Sequence, residues 1–322
     1  MAARKLIIGC GYLGRRVARR WVARGDDVLA LTRSNERAAE LRRFGVEPMI
    51  GDVTDPATLG VLPEADTLLY AVGLDRTSGK SQREVYVGGL ENVVACVAGK
   101  VRRFLYVSST SVYGQNAGEW VDEGSTCRPE TENGKVCLAA EQLLQSRIPN
   151  ANILRLAGIY GPGRLMARVA ALRAGLVLEG NPDAWLNLIH VDDAIAAILA
   201  CEERGQLGGT YLVGDDRPCR RRDYYALLAA LVGAPPPRNA NFPPLAKGGQ
   251  GGAGGASLSA DDTKRQGDNE TGRQGEGEAG NATGDLNKRC CNRRLHEELQ
   301  VTLRYPSVQV GLPIALTERD RG

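Results

Sequence analysis

The chain has 322 residues, with 41 Lys and Arg against 38 Asp and Glu, and two histidines. That length allows one large domain or two smaller ones, and the mixed charge gives no argument for nucleic acid. No apolar run reaches the ~18 residues of a membrane span, and the scattered cysteines, with no CxxC spacing, read as reduced thiols, leaving no metal site.

Taken in chain order, residues 4–8 read as a short apolar strand that ends at Gly9. The N-terminus has a basic start, but its apolar run is too short for a signal-peptide core and glycines follow at once, so a cytoplasmic location is expected. Tyr12 to Ala23 puts Leu13, Val17, Ala18, Trp21 and Val22 on one helical face, and Gly25 stands where such a helix stops. Further strands are predicted over 27–31, 46–50, 66–72, 103–107 and 151–156, with helices over 36–44, 83–98 and 130–145. This alternation predicts βαβ units and an α/β, doubly wound parallel sheet of Rossmann type. Beyond Leu156 the alternation loosens: helices over 164–174, 192–203, 221–232 and 293–299 and a strand over 210–213 predict a smaller α/β substrate lobe. Residues 1–156 are therefore expected to form the dinucleotide-binding domain, and 157–245 with 287–322 the smaller lobe. Residues 246–286, rich in glycine and almost without apolar side chains, are expected to be a disordered insertion.

The strongest motif is Gly9-Cys10-Gly11-Tyr12-Leu13-Gly14, between a predicted strand and a predicted helix. Gly9 permits the tight turn, Gly11 lets a pyrophosphate approach the backbone, and Gly14 allows close helix–strand packing. A carboxylate at the end of the second strand would suit the ribose hydroxyls of NAD. Here the strand ends Thr32-Arg33-Ser34, and Arg33 with Ser34 suits a 2′-phosphate, which favours NADP while leaving NAD open.

Several further segments follow in order: Gly51-Asp52-Val53, Ala71-Val72-Gly73, Val107-Ser108-Ser109-Thr110-Ser111-Val112-Tyr113-Gly114, Arg155 to Gly163, and Leu188 to Asp193. Together with the glycine motif they resemble the extended short-chain dehydrogenases/reductases, the NAD(P)-dependent epimerase/dehydratase-like proteins, over nearly the whole chain apart from the insertion. The resemblance implies that Asp52 bonds the adenine amino group and that Val53 lies against the ring. It also implies that Ala71, Val72, Gly73 and Ile159 line the cofactor and that Ser109 orients the substrate. The family's proton chemistry rests on a Tyr-x-x-x-Lys pair, and at those places this chain has Asn133 and Cys137. Lys135 lies on the opposite helical face. In this the chain resembles the atypical branch of the family, which includes members without the pair.

The remaining candidate proton donors are Tyr86, which stands where the family has an Asn, and Tyr113; water is a third source. Cys137 on an apolar helix face reads as a small core residue. Arg164 is a candidate for a substrate phosphate or carboxylate. His190 reads either as a hydrogen-bonded residue fixing the lobe junction or as a substrate contact. The expected function is that of an oxidoreductase or epimerase/dehydratase-like enzyme acting on a small polar metabolite, a nucleotide-sugar among the candidates. The alternatives are a non-catalytic NADP(H)-binding sensor or scaffold and a paralogue that binds no nucleotide.

Overall fold

The computed structural model describes residues 2–60, 62–239 and 286–318; the expected insertion lies outside them but for its last residue. The first half alternates as β1 (Arg4–Ile8), α1 (Tyr12–Ala23), β2 (Asp27–Thr32), α2 (Asn35–Arg43), β3 (Glu47–Ile50), β4 (Ala65–Tyr70), α3 (Gly89–Val97) and β5 (Val101–Ser109). Then come β6 (Glu119–Val121), α4 (Glu132–Arg147), β7 (Asn152–Leu156), β8 (Gly158–Tyr160), α5 (Met166–Arg173), β9 (Val177–Leu178), β10 (Trp185–Leu186) and β11 (Leu188–His190). The chain continues through α6 (Val191–Arg204), β12 (Thr210–Val213), β13 (Cys219–Arg220), α7 (Arg221–Leu231), β14 (Arg238–Asn239), β15 (Lys288–Cys290), α8 (Arg293–Glu297) and α9 (Val308–Thr317).

Seven strands form one sheet in the order β3-β2-β1-β4-β5-β7-β12, and every pairing in it is parallel. Alternate side chains supply its two faces, as strand geometry requires. Ile7, Leu69, Leu105 and Leu154 meet Val17 and Trp21 of α1 and Ala194, Ile198 and Cys201 of α6. Leu6, Ile8, Leu68 and Ile153 meet Leu90 and Val93 of α3 and Ala140 and Leu144 of α4. The doubly wound sheet read from the alternation is thus the observed architecture.

The seventh strand corrects one expectation. β12, predicted for the smaller lobe, forms the edge of the main sheet beside β7, with Tyr211 opposite Leu154. α6 likewise packs on α1. Its Glu202 accepts from Trp21 Nε1 at 2.7 Å and Thr67 Oγ1 at 2.6 Å, and pairs with buried Lys5 of β1. The remaining strands make short two-stranded pairs: β8–β11 and β10–β13 border a third cluster of buried residues that includes Tyr160, Leu172, Tyr224 and Leu312, β6–β15 gives Val121 and Cys290 to a fourth with Val112 and Tyr113, and β9 pairs with β14. The predicted helix over 83–98 begins with a π turn, Glu84–Gly88, before α3. Beyond residue 299, where no element was predicted, the chain folds as α9 despite Pro313.

Candidate functional site

The carboxyl ends of β1, β4 and β5 open onto one edge of the sheet, and the glycine turn is built there. Gly9 has φ of +94°, and a Cβ on it would lie 2.5 Å from the backbone of Ala71 and Val72 at the end of β4. A Cβ on Gly14 would lie 2.4 Å from Gly9 O, so this glycine lets α1 rest on the turn. A Cβ on Gly11 meets nothing within 4 Å. Gly11 is the N-cap of α1, with no side-chain cap and no acidic residue in the first turn. An open approach to an uncapped helix N-terminus fits a pyrophosphate, so the residues present suit a dinucleotide. Leu13 is buried under the turn. Tyr12 leans to the opposite wall, where its hydroxyl donates to Pro162 O at 3.0 Å.

At the adenosine end, Arg33 does follow β2 but is already bonded: its Nη2 lies 2.7 Å from Asp75 Oδ2. Ser34 caps α2, its Oγ accepting the Arg37 N–H at 3.2 Å, so only its hydroxyl proton remains for a ligand. Asp52 Oδ1 accepts the N–H of Thr54 at 2.9 Å, and its Oδ2 lies 3.1 Å from Lys80 Nζ. Burial raises the Asp52 carboxyl, but the Thr54 hydrogen bonds and Lys80 outweigh it and hold the group below the usual range. Val53 is buried against Gly89, as a Cβ there would meet its Cγ2 at 2.7 Å. Asp75 and Lys80 were not legible as site residues, because they sit in a polar loop without periodicity where charges read as solvated.

At the other end, Ser109 closes β5 and caps a 3₁₀ turn, its Oγ accepting the Ser111 N–H at 3.1 Å while leaving its own proton to donate. This turn and the π turn that carries Tyr86 both pack against α4. On α4, Cys137 Sγ lies 3.9 Å from Asn133 Oδ1, one helical turn away, and Gln82 Nε2 donates to the same Asn133 oxygen. Burial pushes the Cys137 thiol up, so it stays protonated. Tyr86 packs on the cluster formed by Val112, Tyr113 and Cys137, and its hydroxyl oxygen accepts the Leu74 N–H at 3.2 Å, beside exposed Gly73. Ala71, Val72 and Ile159 are half-buried. Tyr86 thus lies on the cluster that holds Cys137, and the turn capped by Ser109 packs on the same helix.

Tyr113 as a proton donor and the substrate-contact reading of His190 are corrected here. Tyr113 has no exposed surface, and its hydroxyl accepts from Arg155 Nη1 at 2.9 Å, which removes it from reach as a proton donor. Arg155 in turn pairs with buried Glu141 at 2.7 Å, and Glu141 accepts from Ser108, so a buried ionic network underlies the Ser109 turn. His190 is fully buried, with Nδ1 accepting the Asp192 N–H at 3.2 Å and its ring 3.9 Å from that of Tyr305. It caps α6, which agrees with the reading of a hydrogen-bonded residue and not with that of a substrate contact. Asp193 beside it receives the N–H groups of Arg304 and Tyr305, each at 2.8 Å. Arg164, expected at the substrate, has its guanidinium 4.8 Å from the Tyr12 ring, which places it beside the glycine turn. Lys135 pairs with exposed Glu132 at 2.7 Å. Among the described residues no helix is long and apolar enough to cross a membrane.

The chain is similar to several known proteins. The chain is 31% identical over 254 residues to protein YeeZ of Escherichia coli, covering 75% of this chain and 88% of that protein. It is 30% identical to the 2-alkyl-3-oxoalkanoate reductase of Stenotrophomonas maltophilia, over 70% of this chain and 74% of the reductase. Its fold matches DesIV, the dTDP-glucose 4,6-dehydratase of Streptomyces venezuelae solved with NAD and TYD bound. The TM-score is 0.73 at 18% identity, with 97% of this chain and 95% of that one covered. Residues 6–214 match the model of the NAD dependent epimerase/dehydratase family, which has oxidoreductases among its members. The glycine turn, the strand order and these matches agree, and the chain belongs to the NAD dependent epimerase/dehydratase family.

Proposed function

We propose that the protein is an NAD(P)-dependent oxidoreductase that interconverts a ketone and an alcohol on a small polar metabolite. The observation that carries this reading is that the π turn carrying Tyr86 and the turn capped by Ser109 both pack against α4, with a half-buried phenol on the cluster that holds Cys137, where Asn133 and Cys137 supply no proton chemistry of their own. A bound nicotinamide dinucleotide supplies or accepts the hydride at the carbon. Gly11 and the first N–H groups of α1 hold the pyrophosphate, Asp52 and Val53 flank the adenine, and Arg33 takes the 2′-phosphate of NADP. Ser109 Oγ donates to the substrate oxygen and orients it. In the reducing direction the Tyr86 phenol passes its proton to that oxygen and is reprotonated from solvent; the reverse direction runs the same transfer backwards. The reductase at 30% identity supports a ketone-bearing substrate. The dehydratase neighbour keeps nucleotide-sugars among the candidates through fold alone.

Turnover of NADPH and NADH against a panel of ketones and nucleotide-sugars tests this. Tyr86→Phe and Ser109→Ala are each expected to lower kcat by about 100-fold or more with cofactor affinity kept. Full activity of Tyr86→Phe would assign the proton to water. Tight cofactor binding without turnover on any panel member would instead select the sensor reading.

A further inference from the structure

We infer that Asp75 is a specificity-determining residue, the one that sets the preference of this site between phosphorylated and unphosphorylated dinucleotide. The inference rests on the reading of the cleft as a dinucleotide site and goes beyond it to the choice of cofactor.

Arg33 follows β2 and Asp75 follows β4, and in the sheet β1 lies between those two strands. Their ion pair at 2.7 Å therefore spans the end of β1, above the turn from Gly9 to Gly14. Asp75 is fixed from behind: its Oδ1 accepts the Thr77 N–H at 3.0 Å and the Thr77 hydroxyl at 2.6 Å. Five residues on, Lys80 reaches Asp52 beyond β3 at 3.1 Å. Residues 75–80 thus cross the sheet edge as a strap anchored at both ends, to the two residues that face the ribose and the adenine. Hydrogen bonds from Thr77 and then Arg33 pull the Asp75 carboxyl down to about 2, so it is ionised at any physiological pH.

A ribose seated over the glycine turn presents its 2′ position to the end of β2. A 2′-hydroxyl there carries no charge and leaves the Arg33–Asp75 pair intact. A 2′-phosphate brings about two negative charges. It must take Arg33 from Asp75, and it then faces a fixed carboxylate in the vacated contact. Arg33 alone favours NADP(H), while Asp75 opposes it, so the balance between the two cofactors lies with the pair.

The test is titration calorimetry of the full chain with NADPH and NADH, using wild type, Asp75→Asn and Asp75→Ser, with thermal melts as a fold control. Asparagine and serine each keep a turn acceptor for Thr77 and remove the charge. Both variants are expected to bind NADPH about five- to twentyfold more tightly, with NADH affinity changed by less than about twofold. An NADPH to NADH ratio that stays within about twofold of wild type overturns the role of Asp75 alone, leaving the dinucleotide reading in place. No binding of either dinucleotide by wild type overturns both.

Discussion

His190 sits in the core with no exposed surface, and burial holds its ring well below the usual imidazole range, at about 4. The nearby Asp192 carboxylate opposes this shift, and Arg304 and Arg16 add to it. The folded chain therefore keeps a neutral imidazole where the unfolded chain takes up a proton below about 6.5. Its stabilising contribution is complete above that value and is lost as pH falls toward 4. Measured by urea unfolding, wild type is expected to lose up to about 3 kcal/mol relative to His190→Asn, a variant that keeps a cap, between those two pH values. A flat difference curve would contradict this. Taking the difference removes the opposite contribution of Asp215, whose buried carboxyl is pushed up to about 8. The residue scale is also where sequence reading loses most. Gly9 and Gly14 were legible because the turn and the close helix packing leave no room for a side chain, and Gly11 because it completes their spacing. Tyr113 and His190 were not assignable, because whether a polar side chain faces the cleft or the core depends on partners distant in sequence, here Arg155 and Tyr305.

The glycine turn offers a contrast at the scale of an element. Gly11 faces open space and Gly14 faces the Gly9 carbonyl, so alanine at the two places has different consequences. Gly11→Ala is expected to leave the melting temperature unchanged while weakening dinucleotide binding, since its methyl group stands where the pyrophosphate approaches. Gly14→Ala is expected to destabilise the fold by about 1 to 3 kcal/mol, because α1 must lift off the turn. Paired melting and titration data check both, and a lowered melting temperature for Gly11→Ala would count against the open approach. Long amphipathic elements were read well: α1 buries Leu13, Val17, Ala18 and Trp21 at helical spacing. The two-residue strands β9, β10, β13 and β14 carry too few side chains to show a period. The π turn at Glu84–Gly88 escaped for another reason, since its apolar residues continue the spacing of α3 and only the backbone bonds differ.

At the scale of the whole molecule, the sheet does not end where the alternation loosens. β7 is buried along its full length because β12 covers it on the far side, and α6 covers α1 through Glu202. A fragment of residues 1–156 is therefore expected to lack cooperative unfolding and to aggregate, since it exposes an apolar strand edge and leaves Lys5 and Trp21 without their partner. A soluble fragment that melts cooperatively would show that the sheet closes without β12. The lobe boundary was misplaced in sequence because β12 is short and separated from β7 by a segment of the other lobe, and strand pairing over such a distance leaves no local pattern. The same connection sets a clock during synthesis. At about 5 to 20 residues per second, the roughly fifty residues between β7 and β12 take about three to ten seconds to emerge, and for that interval the nascent nucleotide-binding sheet presents an unpaired apolar edge. The chain is most exposed to misassembly and most dependent on chaperone protection in that window, before any cofactor can stabilise it.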